Sequence, residues 1–558
     1  MLIETSDLLL ERAYRWEREM PKSTFMTQPM GDGSVRTYSW ERTLDEARRI
    51  AAYLQSYGFP PGTKIAILSK NCAHFIMTDL AVWMAGYVSV ALYPTLQAST
   101  VRHILEHSES KLLFVGKLDD WSSMAPGVPD GMPRITYPLS PKSSDPTWED
   151  LVRTTQPIAG TPRRTPDDTA ILVYTSGSTG TPKGVEHSFR NLAAAGKGFC
   201  QALAITPAER MLSYLPLAHV FERGAVEALS LYVGNQVFFA DSLDTFVADL
   251  QRARPTVFHS VPRLWLKFQQ GVHAKMHPSK LKKLLRIPII SGLVRKKILV
   301  SLGLSDARLA VSGSAPIPPE LIQWYRDLGL ELLEGYGMSE NFAYSHVSLR
   351  GKSRVGYVGN NLPGVDTRIS PEGEVQVKSP TDMKGYYREP ELTRASFTED
   401  GYLRTGDRGE IDSEGRLRLT GRLKELFKTS KGKYVVPVPI ENLLNADSHV
   451  ELAFVSGSGR PAAYAVVQLA DWVRSELKSG AKDSAYVEQV LTRLIQHVNE
   501  QIEEHEQLAF IAVAGEVWQV ENGFLTPTLK LIRGKAEAVY TPRADAWYEG
   551  RRKVYAGT

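Results

Sequence analysis

Residues 170–184 read Ala170-Ile171-Leu172-Val173-Tyr174-Thr175-Ser176-Gly177-Ser178-Thr179-Gly180-Thr181-Pro182-Lys183-Gly184. The first four form an apolar run of the length of one short buried strand. The run then breaks into hydroxyls and glycines. Gly177, Gly180 and Gly184 tolerate backbone angles and close approaches that a side chain blocks. Ser176, Ser178, Thr179 and Thr181 offer hydroxyls, the backbone offers N–H groups, and Lys183 offers a positive charge. Such a set suits a polyphosphate. It is not a Walker P-loop, which ends in Gly-Lys-Ser/Thr. Here Pro182 precedes the lysine, Gly184 follows it, and no helix start is signalled. A polar surface loop would share the composition, so the surrounding chain has to decide.

Working outward, Lys64–Leu68 reads as a buried strand, residues 73–87 as a helix, and Val88–Tyr93 as a strand ended by Pro94. This alternation continues to about residue 260. It predicts an α/β protein with largely parallel sheets. Residues 4–57 read as helical stretches around a short turn region. Leu44, Ala47, Ile50, Ala51 and Leu54 share one helical face, which Pro60-Pro61-Gly62 ends. Residues 122–168, rich in Pro, Ser, Asp and Gly, read as surface connection. Residues 486–502 carry an apolar stripe of Val487, Val490, Leu491, Leu494, Ile495, Val498 and Ile502, the core face of an amphipathic helix.

The totals bound the rest. A chain of 558 residues exceeds the usual size of one hydrophobic core, so two or more domains are expected. A composition 43% hydrophobic and 23% charged is ordinary for a globular protein. A net charge of +4 gives no argument for nucleic acid. Cys72 and Cys200 make neither a metal cluster nor a disulfide framework, which suits a reducing compartment. The N-terminus lacks a secretory signal pattern, and the apolar residues 80–93 are too short to span a bilayer. A cytoplasmic protein without a transmembrane helix is expected. The sequence leaves its oligomeric state open.

Further motifs follow in order. Leu215-Pro216-Leu217-Ala218-His219-Val220-Phe221-Glu222-Arg223 places one histidine in an apolar setting. Taken alone, such a histidine is usually structural. Ser312-Gly313-Ser314-Ala315-Pro316 follows an apolar run, a way to bring backbone against a flat ligand. Leu332-Leu333-Glu334-Gly335-Tyr336-Gly337-Met338-Ser339-Glu340 brackets an aromatic with glycines. It then offers a hydroxyl at Ser339 and, at Glu340, a hard oxygen suited to Mg²⁺. A tight turn with a packed tyrosine is the plainer reading. Tyr402-Leu403-Arg404-Thr405-Gly406-Asp407 ends on a carboxylate able to accept two hydrogen bonds from a diol, or to cap a turn. Gly421-Arg422-Leu423-Lys424-Glu425, Gly432-Lys433-Tyr434-Val435-Val436-Pro437 and Leu525-Thr526-Pro527-Thr528-Leu529-Lys530 complete the set.

These motifs, in this order over roughly residues 35–540, resemble the AMP-forming adenylating enzymes: acyl-CoA synthetases, firefly luciferase and the adenylation domains of peptide synthetases. The Pro-Leu-Ala-His and Leu-Thr-Pro-Thr segments are most like those of the long-chain fatty acid–CoA ligases. The resemblance implies a large N-terminal domain, residues 1–421, of αβ layers with mostly parallel sheets and a small barrel-like part. It implies a hinge at 422–424, centred on Lys424, and a small mobile α+β domain at 425–558. The implied activity joins a fatty acid to AMP, releases pyrophosphate, and transfers the acyl group to CoA. Fatty acid, ATP and CoA are the implied partners, with Mg²⁺ at Glu340.

Residue by residue, the resemblance gives the ATP phosphates to Thr175, Ser176, Gly177, Ser178, Thr179, Gly180, Thr181, Lys183 and Ser339. It gives adenine and ribose to Ser314, Ala315, Pro316, Glu334, Gly335, Tyr336, Gly337, Asp407 and Arg422. His219 would lie beside the carboxylate pocket. Lys530 would be the adenylation lysine, and Gly432, Lys433 and Tyr434 would belong to the segment that meets CoA. An acyl-AMP ligase serving a carrier protein, and a catalytically silent lipid- or nucleotide-binding relative, are the competing readings.

One stretch stands apart. Residues 250–305 contain no Asp or Glu and twelve Lys or Arg, between Arg252 and Lys297. A solvated basic face would explain this. A patch for anionic membrane lipid, giving peripheral contact with the inner face of a membrane, or for CoA phosphates, would also explain it.

Overall fold

The computed structural model describes residues 1–176, 181–526 and 529–555. The chain packs as two compact units. One comprises Met1–Ala315, Glu320–Arg368 and Gln376–Arg404; the other comprises Pro316–Pro319, Ile369–Val375 and Thr405–Thr558. The class is α/β.

The first unit is organised by a seven-stranded sheet. Its order is Gly385–Tyr386, Pro182–Ser188, Thr169–Ser176, Val88–Leu92, Lys64–Leu68, Leu112–Val115, Arg134–Thr136. The last five run parallel, and the first two pair antiparallel. Strands buried on both faces read as near-continuous apolar runs, and Val88–Leu92, buried at every position, is apolar but for Ser89. The helix Ala73–Met84 is buried at every residue, including Asp79. Its lack of a polar face is that of a helix enclosed on all sides.

A second sheet orders Val257–Ser260, Leu309–Ser312, Leu332–Tyr336, His346–Val347 and Asn360–Asn361. Its first three strands are parallel and the rest antiparallel. A third orders Val35–Ser39, Thr24–Pro29, Gln236–Phe239 and Arg210–Ser213. Two expectations change here. Residues 24–39 form a strand hairpin, not helix and turn, with Phe25 stacked on Trp40 at 3.8 Å. Residues 122–168 are more than connection: Arg134–Thr136 adds a sheet strand, and the helix Trp148–Thr154 buries Trp148.

In the second unit a sheet of Val450–Ser456, Ala463–Leu469, Leu508–Val513 and Val554–Tyr555 packs against helices. The expected stripe lies on the helix Ser484–Asn499, where Val487, Leu491, Leu494, Ile495 and Val498 are buried in one core.

Candidate active site

Strand Thr169–Ser176 leads up to the glycine-rich stretch and strand Pro182–Ser188 leads away from it. The two pair antiparallel, with Thr175 opposite Lys183 and Tyr174 opposite Gly184. Gly177, Ser178, Thr179 and Gly180 lie outside the described residues, as does the side chain of Ser176. Lys183 therefore sits on a strand. The next helix begins only at Phe189, where Ser188 and Asn191 form a reciprocal cap.

Two histidines of the helix Ala98–His107 hold the roots of these strands. His107 Nδ1 lies 2.7 Å from the Tyr174 hydroxyl. His103 Nε2 lies 3.2 Å from the Pro182 carbonyl, so that nitrogen carries the donated proton.

Glu340 lies in the helical turn Ser339–Asn341. The Tyr386 hydroxyl donates to Glu340 Oε1 at 2.6 Å, and Lys183 Nζ sits 5.9 Å from the centre of the Tyr386 ring. Burial, then the neighbouring carboxylate, raises the Tyr386 pKa, so the phenol stays a donor. Tyr386 is placed by pairing with Val185, and Tyr387 N donates to the Gly184 carbonyl at 2.7 Å. His187, on the same strand as Lys183, donates from Nε2 to the Ser339 carbonyl at 2.8 Å. Burial lowers its pKa to about 4, so the ring is neutral near pH 7. Lys183, Ser339 and Glu340 are thus tied together through Tyr386 and His187, two residues the motif reading did not include.

The strand Leu332–Tyr336 carries Glu334, Gly335 and Tyr336, with Glu334 opposite Ser312. A side chain at Gly337 would come within 2.4 Å of the Ala343 backbone, so only glycine fits. Ser314 takes φ +69°, uncommon for a residue with a side chain, just before Ala315 and Pro316. Glu334 is buried, and desolvation pushes its carboxyl up to about 8.

The histidine segment is fixed by buried charge. His219 caps the turn Val220–Glu222, its Nδ1 accepting from Phe221 N at 3.1 Å. Glu222 accepts from Ser213 Oγ at 2.7 Å and from Tyr214 N at 3.0 Å, and faces His259 Nε2 at 2.7 Å. Arg223 donates to the Leu217 carbonyl at 2.9 Å and pairs with Asp79 at 2.8 Å and Glu227 at 3.0 Å. All three of these charged side chains are buried. The π-helical stretch Arg223–Ala228 follows, a deviation often found at functional sites.

In the second unit, Asp407 and Arg422 face each other across the hairpin Leu403–Ile411 and Leu417–Arg422, with Arg422 Nε 2.9 Å from Asp407 Oδ1. Lys530 lies within electrostatic reach of this pair. Desolvation, then the like charge of Arg422, lowers its ammonium to about 8, while Asp407 pulls the other way. The residue as a whole is exposed, and water screens the charges around it. Lys530 N donates to Thr526 Oγ1 at 3.1 Å, and Leu525 bridges to Leu531. Pro527 and Thr528 lie outside the described residues.

Lys424 sits in the turn Leu423–Glu425. Gly432, with φ +78°, and Lys433 lie between the paired strands Phe427–Lys428 and Tyr434–Val435; Tyr434 is exposed.

Among the described residues no group of three or more His, Cys, Asp or Glu could hold a metal. A single carboxylate at Glu340 fits Mg²⁺ nonetheless, because that ion keeps waters and takes one or two carboxylates together with substrate phosphates.

The family model described as AMP-binding enzyme matches residues 13–387, and that of the AMP-binding enzyme C-terminal domain matches residues 425–552. A peroxisomal long chain acyl-CoA synthetase of Arabidopsis thaliana is 29% identical, covering 94% of this chain and 83% of its own length. Fatty acyl-CoA synthetase A of Dictyostelium discoideum is 30% identical, covering 93% of this chain and 87% of its own. A long-chain-fatty-acid–CoA ligase of Mycobacterium tuberculosis is 28% identical over 97% of each. Among solved structures, an anthranilate CoA ligase in complex with anthranoyl-AMP superposes with a TM-score of 0.79, at 20% identity, over 97% of this chain and 100% of its own. The adenylation domain of a carboxylate reductase from Mycobacterium chelonae gives 0.80 at 22% identity, over 97% and 91%. These two show the shared fold.

Proposed function

The chain belongs to the AMP-binding enzyme family, and from that premise we propose that it activates a long-chain fatty acid with ATP and passes the acyl group to CoA. Relatives named as a long chain acyl-CoA synthetase, a fatty acyl-CoA synthetase and a long-chain-fatty-acid–CoA ligase, similar over more than nine-tenths of the chain, support the substrate class. The observation that carries the chemistry is the tie between Glu340 and the Tyr386 hydroxyl, with the Lys183 ammonium beside the same ring.

A carboxylate and a triphosphate are both anions, so their reaction needs charge cancelled and atoms held in line. In the first step a carboxylate oxygen attacks the α-phosphorus. The bond to the bridging oxygen breaks, and pyrophosphate leaves with the electron pair. Lys530 is the cation proposed to bridge carboxylate and α-phosphate. Lys183 and the hydroxyls of 175–181 are proposed for the β- and γ-phosphates, with Ser339 beside them. Glu340, oriented by Tyr386, would hold Mg²⁺, which supplies charge neutralisation at the phosphates. Tyr336, with its flanking glycines, Glu334 and the Ser314–Pro316 segment are proposed for adenine, Asp407 and Arg422 for ribose, and His219 for the wall of the carboxylate pocket.

In the second step the CoA sulfur attacks the acyl carbon, its thiol proton passes to solvent, and AMP leaves. Lys530 is no longer needed there. The segment from residue 425 is proposed to turn about Lys424, withdrawing Lys530 and bringing Gly432, Lys433 and Tyr434 to the pantetheine. The test is ATP–pyrophosphate exchange over carboxylic acids from acetate to long chains, followed by thiol consumption with CoA. Exchange rising with chain length, and thiol loss only when CoA is present, is the expected result. Absence of acid-dependent exchange refutes the reading.

A further inference from the structure

The earlier part of the basic stretch holds the strand Val257–Ser260 and the helix Pro262–Lys275; the later part forms two helices, Pro278–Leu285 and Pro288–Ser301, separated where Pro288 starts the second. Their inner side is set by Leu281, Ser291 and Ile298, which are buried. Their outer side is unusual. Ile289 is 86% exposed and Leu293 69% exposed, and Ile287, Ile290 and Val300 are exposed as well. Ile289, Leu293, Lys296 and Val300 follow the spacing that keeps side chains on one helical face. Lys282, Lys283, Arg286 and Lys297 are exposed around them, and neither helix contains an acidic residue. Isolated exposed apolar residues need no explanation; five close in sequence and interspersed with exposed cations do.

We propose that this outer face docks the protein on an anionic lipid surface. The isoleucines and leucine enter the interfacial layer. The lysines and Arg286 lie against headgroup phosphates, their aliphatic stems covering the apolar margin. The phosphates of CoA would answer the cations but leave Ile289 and Leu293 in water, so the apolar residues decide for the lipid. The second helix is a single short segment that carries apolar residues on its exposed face as well as its buried one, and no described helix is long and apolar enough to cross a membrane. It therefore lies in the interfacial plane. This docking goes beyond the acyl-activation reading and does not depend on it.

The full chain is sedimented with vesicles of phosphatidylcholine alone and of phosphatidylcholine mixed with phosphatidylglycerol. Binding to the mixed vesicles, weak binding to the neutral ones, and loss of binding with added salt are expected. Ile289→Glu with Leu293→Glu, and separately Lys282, Lys283, Lys296 and Lys297 each changed to Gln, should each lower partitioning about tenfold or more. Ile289→Ser with Leu293→Ser serves as a milder second variant, since both positions are exposed and folding should be kept. Equal binding to both vesicle types, no binding to either, or binding unchanged in the apolar or the basic variant overturns the proposal. Acid-dependent pyrophosphate exchange measured without vesicles reports the catalytic reading separately and should match wild type in every variant.

Discussion

The hydroxyl of Tyr386 donates to Glu340 Oε1 at 2.6 Å while the Lys183 ammonium stands 5.9 Å from the same ring. One aromatic residue thus touches both the proposed metal carboxylate and the proposed phosphate cation. Tyr386→Phe keeps the ring under Lys183 and removes only the hydrogen bond. A hydrogen bond to a charged group is worth about 1.5–3 kcal/mol. The exchange rate is expected to fall about tenfold to a hundredfold at saturating substrates, with the Mg²⁺ requirement shifted upward. The KM for the fatty acid should stay near wild type, and the shifted Mg²⁺ requirement is the part that a general loss of folded enzyme would not produce.

Lys530 should separate the two half-reactions. Lys530→Ala is expected to slow adenylation by about a hundredfold or more, the scale of removing one preorganised charge from a reacting oxyanion. Thioester formation from supplied acyl-AMP and CoA should persist. Equal loss of both would refute the proposed division of labour. The pH profile carries the sign. The working form is the charged ammonium, and its pKa is lowered to about 8, so exchange should decline as pH rises through about 8. Arg422→Gln removes the like charge and should move that decline to higher pH.

Lys424→Pro is expected to do the reverse. Proline fixes φ near −65° and removes the N–H in the turn Leu423–Glu425. Pyrophosphate exchange should survive while thioester formation falls, measured as acyl-AMP accumulating in a single turnover. If both steps continue at wild-type rates, Lys424 is not the pivot.

Glu334 should make stability depend on pH. Its folded pKa, about 8, lies above the value for an unfolded chain. Between roughly pH 4.5 and 8 the folded state then binds more protons than the unfolded one, so stability falls as pH rises through this window. Glu334→Gln keeps the shape without the charge. Its Tm relative to wild type should rise from pH 5 to pH 9 and level off above the folded pKa. A constant difference would show that the carboxyl is not protonated in the fold.

The parts of this molecule legible in sequence are those whose signal is local. The strand ending at Ser176 announces itself by the apolar run before it, and Gly337 by its place in a motif that admits no side chain. Residues whose partners are remote were not legible. Strand Thr24–Pro29 is mixed in polarity and takes its parallel partner from Gln236–Phe239, so its pattern could not be told from helix and turn. Tyr386 meets Glu340 across 46 residues, and only the pairing of Gly385–Tyr386 with Pro182–Ser188 brings them together. In the sequence Asp79 is a lone carboxylate beside the apolar residues 80–93, and only the fold sets Arg223 against it.

That buried triad gives the last test. Arg223 joins Asp79 and Glu227 and also holds the Leu217 carbonyl, two residues before His219. Burial, and then the Asp79 charge, pushes Glu227 well above the usual carboxylate range, so Glu227 is the member that keeps a proton. Arg223→Met has a similar length and no charge. It leaves Asp79 buried without its cation, which typically costs about 3–5 kcal/mol. A lower urea midpoint with an unchanged slope is the expected signature. Adding Asp79→Asn to Arg223→Met removes the stranded carboxylate and should recover a measurable part of the loss. If the double variant is no more stable than Arg223→Met, the cost lies in packing around Leu217, not in the orphaned charge.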